Sequence, residues 1–364
     1  MKKQRPSLLN DLKEKFFAFF SNDIGIDLGT ANALVYIKGV GVVIDEPSVV
    51  AFNNKTNRVI AVGYPAKEML GRTPGHITAE RPIVDGVISN FEVAGEMIAY
   101  LINKAEKEYP KKLSIFGPRV VVGVPSGITN VEIRAVQDAT LDAGARKVYV
   151  VEEPMAAAIG ENLPVNSAKG TIIMDIGGGT TDIAVISLGG IVSSKKLTIA
   201  GDKFNEDIIN YVKDNFKILI GQTTAEDLKI NVGSVIGKKD RKGIAKGRDL
   251  LTGLAKEITI TSSDIKDALK PSIETMIDAL KEVLEITPPE ILSDSLESGM
   301  YLSGGGALLN GLPTLLKKHV KMPVHIVGDP LLSVVNGTGI ILENIEMYKE
   351  NILSDEDESA LSYK

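Results

Sequence analysis

The chain has no cysteine, so disulfides and thiolate metal sites are both excluded. Histidine is nearly as scarce. His76, His319 and His325 are scattered and form no ligand cluster, which leaves each a structural role. No apolar run approaches the roughly 18 residues that span a bilayer. No glycine turn reads G-x-G-x-x-G, which argues against a dinucleotide fold. The nearest approach to a P-loop, GSVIGKK, has its glycines one residue too close and no Ser or Thr after Lys238. An excess of positive charge is lacking too: the net charge is −6, which argues against nucleic acid as the main partner.

What is present suggests a soluble globular chain of about two domains: 364 residues, 44% hydrophobic and 24% charged. The most informative stretch is TIIMDIGGGTTDIAVIS (Thr171 to Ser187). An apolar run ends on Asp175; Gly177, Gly178 and Gly179 follow, then Thr180 and Thr181, then a second apolar run. The pattern predicts two short strands joined by a tight turn. Without Cβ atoms the turn can bring its backbone N–H groups close to an anion, and the threonines add hydroxyl donors. Asp175, at the strand end, is suited to holding magnesium through water. Alone, the stretch is equally a plain Gly-rich hairpin.

A second copy shifts the balance. DIGIDLGTANALVYI (Asp23 to Ile37) repeats the design with Asp27 at the strand end and Gly29, Thr30, Ala31 and Asn32 in the turn. The two aspartates are about 150 positions apart, a domain-sized spacing rather than a short-repeat period. Two similar domains, each offering a phosphate-binding hairpin to a shared cleft, are expected. A third glycine turn, YLSGGGALLNGL, carries Gly304, Gly305, Gly306 and Ala307 after a short apolar run and opens a helix, which suits a phosphate or the nucleoside end of a nucleotide.

IDLGTAN, VEEPMAAAIG, MDIGGGTTD and LSGGGALL, in this order and spacing, resemble the actin superfamily, and within it the MreB family of bacterial actins. The resemblance runs from about Asp23 to about Met347. It implies an α/β, actin-like (ribonuclease H-like) fold of two related lobes, each a core with a smaller outer subdomain, and a nucleotide cleft between them. Lobe I would span 23–152, with its outer subdomain at about 33–75 and the chain returning at about 326–347. Lobe II would span 153–325, with its outer subdomain at about 203–250. Residues 1–22 form a separate N-terminal segment, and 348–364 an acidic tail expected to be disordered.

The resemblance also implies ATP and Mg²⁺ as cofactors, with Asp27 and Asp175 serving the metal. Glu153 and Thr180 would hold the water that attacks the γ-phosphate, since positioning is the main task in phosphoryl transfer. Read without the family, Glu153 is an acidic helix start. Glu226 and Lys229 would meet the ribose and the adenine; read without the family they form a solvated i,i+3 ion pair. No arginine finger is apparent, so turnover should be slow. Asp182 sits where many relatives carry Glu, a departure that bears on the detail of the turn.

Strands alternating with helices support α/β architecture: strands at Val120–Pro125 and Lys147–Val151, helices at Glu92–Tyr109 and Thr129–Gly144. The helix from Ser262 meets Pro271 near a kink or boundary. The basic, Gly-rich Gly237–Arg248 reads as a surface loop or hairpin. At about 100° per residue, Leu8, Leu9, Leu12, Phe16, Phe19 and Phe20 share one third of a helix circumference, with Asn10, Asp11, Glu14 and Lys15 opposite. An in-plane membrane helix and a helix packed on the body both fit. One such helix binds a membrane weakly and a filament carrying many copies binds firmly. Ile115 and Phe116 are either a second membrane contact or a buried loop anchor. The leading expectation is a cytoskeletal ATPase that polymerises on the inner face of the cell membrane and determines cell shape. The alternative is a sugar-type kinase of the same superfamily, which needs an Asp base where this chain has Glu153. A chaperone of the superfamily would need a peptide-binding domain after the ATPase body, where only about a dozen residues remain here.

Overall fold

A computed structural model describes residues 21–56, 58–110, 117–236 and 241–353. The amphipathic segment with Leu8 to Phe20, the Ile115–Phe116 pair and the tail from Ser354 lie outside the described residues. The chain divides into two compact units. One holds the residues up to Val124, Ile128–Glu152 and Val334 onward; the other holds Pro125–Gly127 and Glu153–Ser333.

In the first unit, β1 (Ile24–Leu28), β2 (Asn32–Ile37) and β3 (Gly41–Pro47) form an antiparallel meander. Next, β4 (Val50–Asn53), β5 (Arg58–Val62) and β6 (Ile77–Glu80) make a separate sheet in the order β5-β4-β6, on which α1 (Tyr64–Met69) packs. A short hairpin of β7 (Ile83–Val84) and β8 (Val87–Ile88) precedes α2 (Phe91–Glu108). Asn90 caps α2 by accepting from the Val93 N–H, and the face from Val93 through Met97 and Leu101 to Ala105 is buried. Then follow β9 (Arg119–Val124), α3 (Asn130–Asp142), started by a Thr129–Glu132 capping box, and β10 (Lys147–Glu152). The main sheet runs β10-β9-β1-β2-β3, with β9 parallel to both β1 and β10.

The second unit begins with α4 (Glu153–Gly160) and repeats the meander in β11 (Thr171–Ile176), β12 (Thr181–Ser187) and β13 (Gly190–Leu197). After α5 (Gly201–Phe216) come β14 (Ile218–Leu219), α6 (Gln222–Asn231), β15 (Lys242–Asp249) and β16 (Ala255–Thr261), whose strands form a small sheet. Then come α7 (Ser262–Ile286), α8 (Pro289–Ser298), β17 (Met300–Ser303), a 3-10 turn at Gly305–Leu308, α9 (Leu312–Val320) and β18 (Val324–Ile326). The main sheet runs β13-β12-β11-β17-β18, with β17 parallel to β11 and β18. Strand order and sense match those of the first unit, strand for strand. The fold is therefore a duplication of one sheet, each copy with a small appended sheet. The last helix, α10 (Ser333–Glu343), returns to the first unit from Val334 on. It lies against β1 and β2 at glycine contacts: a Cβ on Gly25 would sit 2.3 Å from Thr338 Oγ1, and one on Gly339 would sit 2.6 Å from the Tyr36 ring.

Several boundaries differ from the sequence reading. Residues 33–47 belong to the main sheet, where β2 pairs with both β1 and β3, so the outer sheet begins at Val50 rather than near residue 33. Alternating apolar residues announce strands but not the sheet they join. Likewise β18 pairs with β17, so the return crossing falls near Ser333 rather than residue 326. The second small sheet extends to Thr261, and α5, which buries Phe204, Ile208 and Val212, packs on both α6 and α7. Pro271 lies inside α7, the internal one of the two placements expected for it. Asp267 and Pro271 are both exposed, so water can solvate the carbonyl that proline leaves without an N–H partner. Residues 242–248 of the basic stretch are strand, paired with β16.

Candidate phosphate and cation site

In the first unit the β1–β2 turn is held from behind by Ser48. Its hydroxyl donates to the Gly29 carbonyl at 2.6 Å, and its N–H donates to the Ala31 carbonyl at 3.0 Å. These two bonds tie the turn's carbonyls to the chain just after β3. A Cβ on Gly29 would come within 2.8 Å of the Asn32 carbonyl, so glycine here supplies room rather than a left-handed backbone. Thr30 is buried, Ala31 exposed, and Asn32 donates to Asp45 at 2.8 Å. Asp27 is half-buried at the end of β1, opposite Leu34 on β2 and Gly123 on β9.

The second unit's turn is pinned differently. Gly177 N–H bonds the Thr180 carbonyl at 2.9 Å and closes the turn. The first N–H groups of α5, from Gly201 and Asp202, take the carbonyls of Gly177 and Gly178. Lys229, on α6, donates to the Gly201 carbonyl at 2.9 Å, one residue removed from the turn. Glu226 is half-buried on the same helix. Across the main sheet, Asp175 faces Asp182 on β12 and Ser303 on β17. Ser303 Oγ–H donates to Asp175 Oδ1 at 2.6 Å. Beyond it, Gly304 has φ +77, and a Cβ there would sit 2.3 Å from the Ile176 carbonyl oxygen; one on Gly306 would sit 2.2 Å from Ile176 Cγ2. Gly304 to Ala307 can therefore seat against the strand end that carries Asp175 only because Gly304 and Gly306 lack side chains. Glu153, buried, opens α4, which packs on β11 and β12. Thr181 Oγ–H is spent on the Ile199 carbonyl at 2.6 Å, so that threonine is a structural anchor.

Asp182 has a larger part than the sequence suggested. It is fully buried and accepts from the Ser126 N–H at 2.9 Å and from the Thr180 hydroxyl. Burial, and then the charge of Asp175, push its carboxyl up to about 7. Burial also raises Asp175, against the bond from Ser303. Among the described residues, Asp182 Oδ2 and Ser126 Oγ are buried without partners. Two buried carboxylates with a spare oxygen form a donor set that fits a hard cation. No group of three or more His, Cys, Asp or Glu among the described residues is placed to hold a metal by itself. At Gly177 a Cβ would make only an ordinary contact, 3.4 Å from the Thr180 carbonyl, so glycine there keeps open a space the chain does not otherwise fill. The signal for Asp182 was its place opposite Asp175 across the hairpin; the matching position in the first unit is Leu34.

The family model described as MreB/Mbl protein matches residues 21–350. The chain belongs to the MreB/Mbl family. It is 47% identical over 348 residues to the cell shape-determining protein MreB of Escherichia coli, covering 94% of this chain and 99% of that one. It is 46% identical over 336 residues to the cell shape-determining protein Mbl of Bacillus cereus, covering 92% and 99%. Among solved structures, MreB5 of Spiroplasma citri bound to AMPPNP superposes with a TM-score of 0.84 at 38% identity, covering 91% and 98%. The fold is thus that of the actin-like proteins of the MreB/Mbl family. All four motifs that carried the resemblance lie inside the matched span.

Proposed function

We propose that this member of the MreB/Mbl family is an actin-like cytoskeletal ATPase. It binds ATP with Mg²⁺, polymerises into membrane-associated filaments and determines cell shape. The observation that carries the reading is the duplicated hairpin, with a carboxylate at each first strand end and turn carbonyls tied back in both units. The nucleotide-bound state of MreB5 supports it.

Gly29 to Asn32 and Gly177 to Thr180 donate to phosphate oxygens through their backbone. Asp27 and Asp175 accept from water on the cation, and Asp182 adds a second buried negative charge beside Asp175. Magnesium, when bound, neutralises charge on the β- and γ-phosphate oxygens. Glu153 accepts a hydrogen bond from the attacking water, and Thr180, oriented by its own bond to Asp182, fixes that water from a second side. Gly304 to Ala307 and Glu226 contact the nucleoside. Lys229 holds the Gly201 carbonyl and so steadies the turn as well as approaching the base. The N-terminal apolar stripe, Leu8 to Phe20, and Ile115 with Phe116 serve the inner membrane surface. Among the described residues no helix is long and apolar enough to cross a membrane. Glu153→Ala tests the chemistry: phosphate release should fall 10²-fold or more while ATP-dependent pelleting persists. Unchanged hydrolysis would remove Glu153 from the site.

A further inference from the structure

Asp175 is buried, and among the described residues the one donor to its carboxylate is Ser303. The serine hydroxyl gives its hydrogen to Oδ1 at 2.6 Å, a length typical of a strong charge-assisted O–H···O⁻ bond. Oδ2 accepts from none of the described residues. A single hydroxyl thus sets the two oxygens of this carboxylate apart.

Sheet register brings the serine there. The segment MYLS forms β17, where Met300 and Leu302 are buried apolar residues, and its parallel pairing with β11 puts Ser303 opposite Asp175. Ser303 is itself fully buried, and a buried hydroxyl costs stability unless it finds an acceptor. The strand end is pinned on both sides of it. Val327 N–H donates to the Leu302 carbonyl at 3.1 Å, and Gly304 N–H donates to the Pro330 carbonyl at 2.8 Å.

The duplicated sheet supplies an internal comparison. In the first unit Asp27 stands opposite Gly123 on β9, in the register that Asp175 has with Ser303 on β17. Glycine has no hydroxyl to give. The backbone arrangement therefore accepts glycine at this place, and the sheet alone does not call for serine in the second unit. An Asp carboxylate turns about a broad, two-fold χ2 torsion, so without an anchor either oxygen can face a ligand. Groups that orient a metal's ligands in this way govern its affinity by roughly 10- to 100-fold.

We propose that Ser303 is a positioning residue, which holds Oδ1 of Asp175 and so presents Oδ2 to the hydrated cation. The inference rests on the reading that Asp175 serves Mg²⁺ bound with ATP, and it names the residue that orients this aspartate.

The test titrates ATP into the full-length chain by calorimetry, in EDTA and in excess Mg²⁺, and takes the factor by which the cation strengthens binding. Ser303→Ala should lower that factor about tenfold. Ser303→Gly, which copies Gly123 of the first unit, should lower it as much. Ser187→Ala is the control for losing a buried hydroxyl from the same sheet. Ser187 lies at the end of β12 away from the glycine turn, where it donates to the Ala168 carbonyl at 3.0 Å, and its loss should leave the factor unchanged. In a chain already carrying Asp175→Asn, adding Ser303→Ala should change the factor less than twofold, because the serine acts through the aspartate. Circular dichroism checks that each variant is folded. A factor that survives both Ser303 substitutions, falls equally in Ser187→Ala, or falls a further tenfold beside Asp175→Asn overturns the positioning role and leaves the nucleotide reading in place. If Mg²⁺ fails to strengthen ATP binding to the wild-type chain, the reading of Asp175 as a cation ligand falls first.

Discussion

Replacing Gly304 by alanine tests how the third turn meets the strand that carries Asp175. Gly304 has φ +77, which costs a residue with a side chain about 1–2 kcal/mol. The added Cβ would also lie 2.3, 2.5 and 2.8 Å from the carbonyl oxygen, carbonyl carbon and nitrogen of Ile176. These are backbone atoms in a strand hydrogen-bonded on both sides, so they cannot step aside as a flexible side chain would, and overpacking of this kind costs about 1–3 kcal/mol. Together the loss is about 2–5 kcal/mol, a sizeable part of the 5–15 kcal/mol that holds a domain together. At this size that corresponds to a fall in Tm of roughly 10 °C. Gly305→Ala is the control: its nearest neighbour is the end of the Leu331 side chain at 3.3 Å, and its cost should stay near or below 1 kcal/mol. Thermal unfolding by circular dichroism reads both. ATP affinity should fall for Gly304→Ala alone, because any shift of Ile176 moves its neighbour Asp175. Equal Tm values for the two variants would refute the packing described for this turn.

Asp23→Asn strips the charge from a buried pair in which Arg119 donates to Asp23 through its guanidinium and its N–H, and chemical unfolding should show a loss of about 3–5 kcal/mol. Ser48→Ala unties the Gly29 carbonyl; stability should fall by about 1 kcal/mol and ATP affinity severalfold, whereas Ser48→Thr should restore both. The raised carboxyl of Asp182 keeps its proton to a higher pH in the folded chain than in the unfolded one. Its ionisation therefore costs nothing below about pH 4, and stability is lost as pH rises through about 7. Urea unfolding in EDTA should show that fall between about pH 4 and 7, levelling off above, and Asp182→Asn should flatten it.

Both hairpins were legible in the sequence because apolar runs broken by an aspartate and a glycine turn leave few other conformations. The helices were legible where caps and period agreed, as at Thr129 and Glu132 ahead of α3. What sequence could not supply was contact between distant strands. Ser303 meets Asp175 only because β17 adds to the sheet beside β11, and Ser126 reaches Asp182 from a turn that follows a strand of the other unit. Thr181 looked like a second hydroxyl donor to phosphate, yet its hydroxyl is committed to the Ile199 carbonyl. Lys229 looked like half of a surface ion pair or a base contact, and its bond to the Gly201 carbonyl, which ties α6 to the start of α5, was not legible. The edge of the first outer sheet was missed for a related reason: β3 and β4 follow one another along the chain but pair in different sheets.

Calorimetric titration of ATP into the full-length chain, with and without Mg²⁺, bears most directly on the two carboxylate-tipped hairpins. Saturable, Mg²⁺-strengthened binding that weakens tenfold or more in Asp27→Asn and in Asp175→Asn is the expected result. Binding that ignores both the cation and the two substitutions, or no binding of ATP at all, would contradict it.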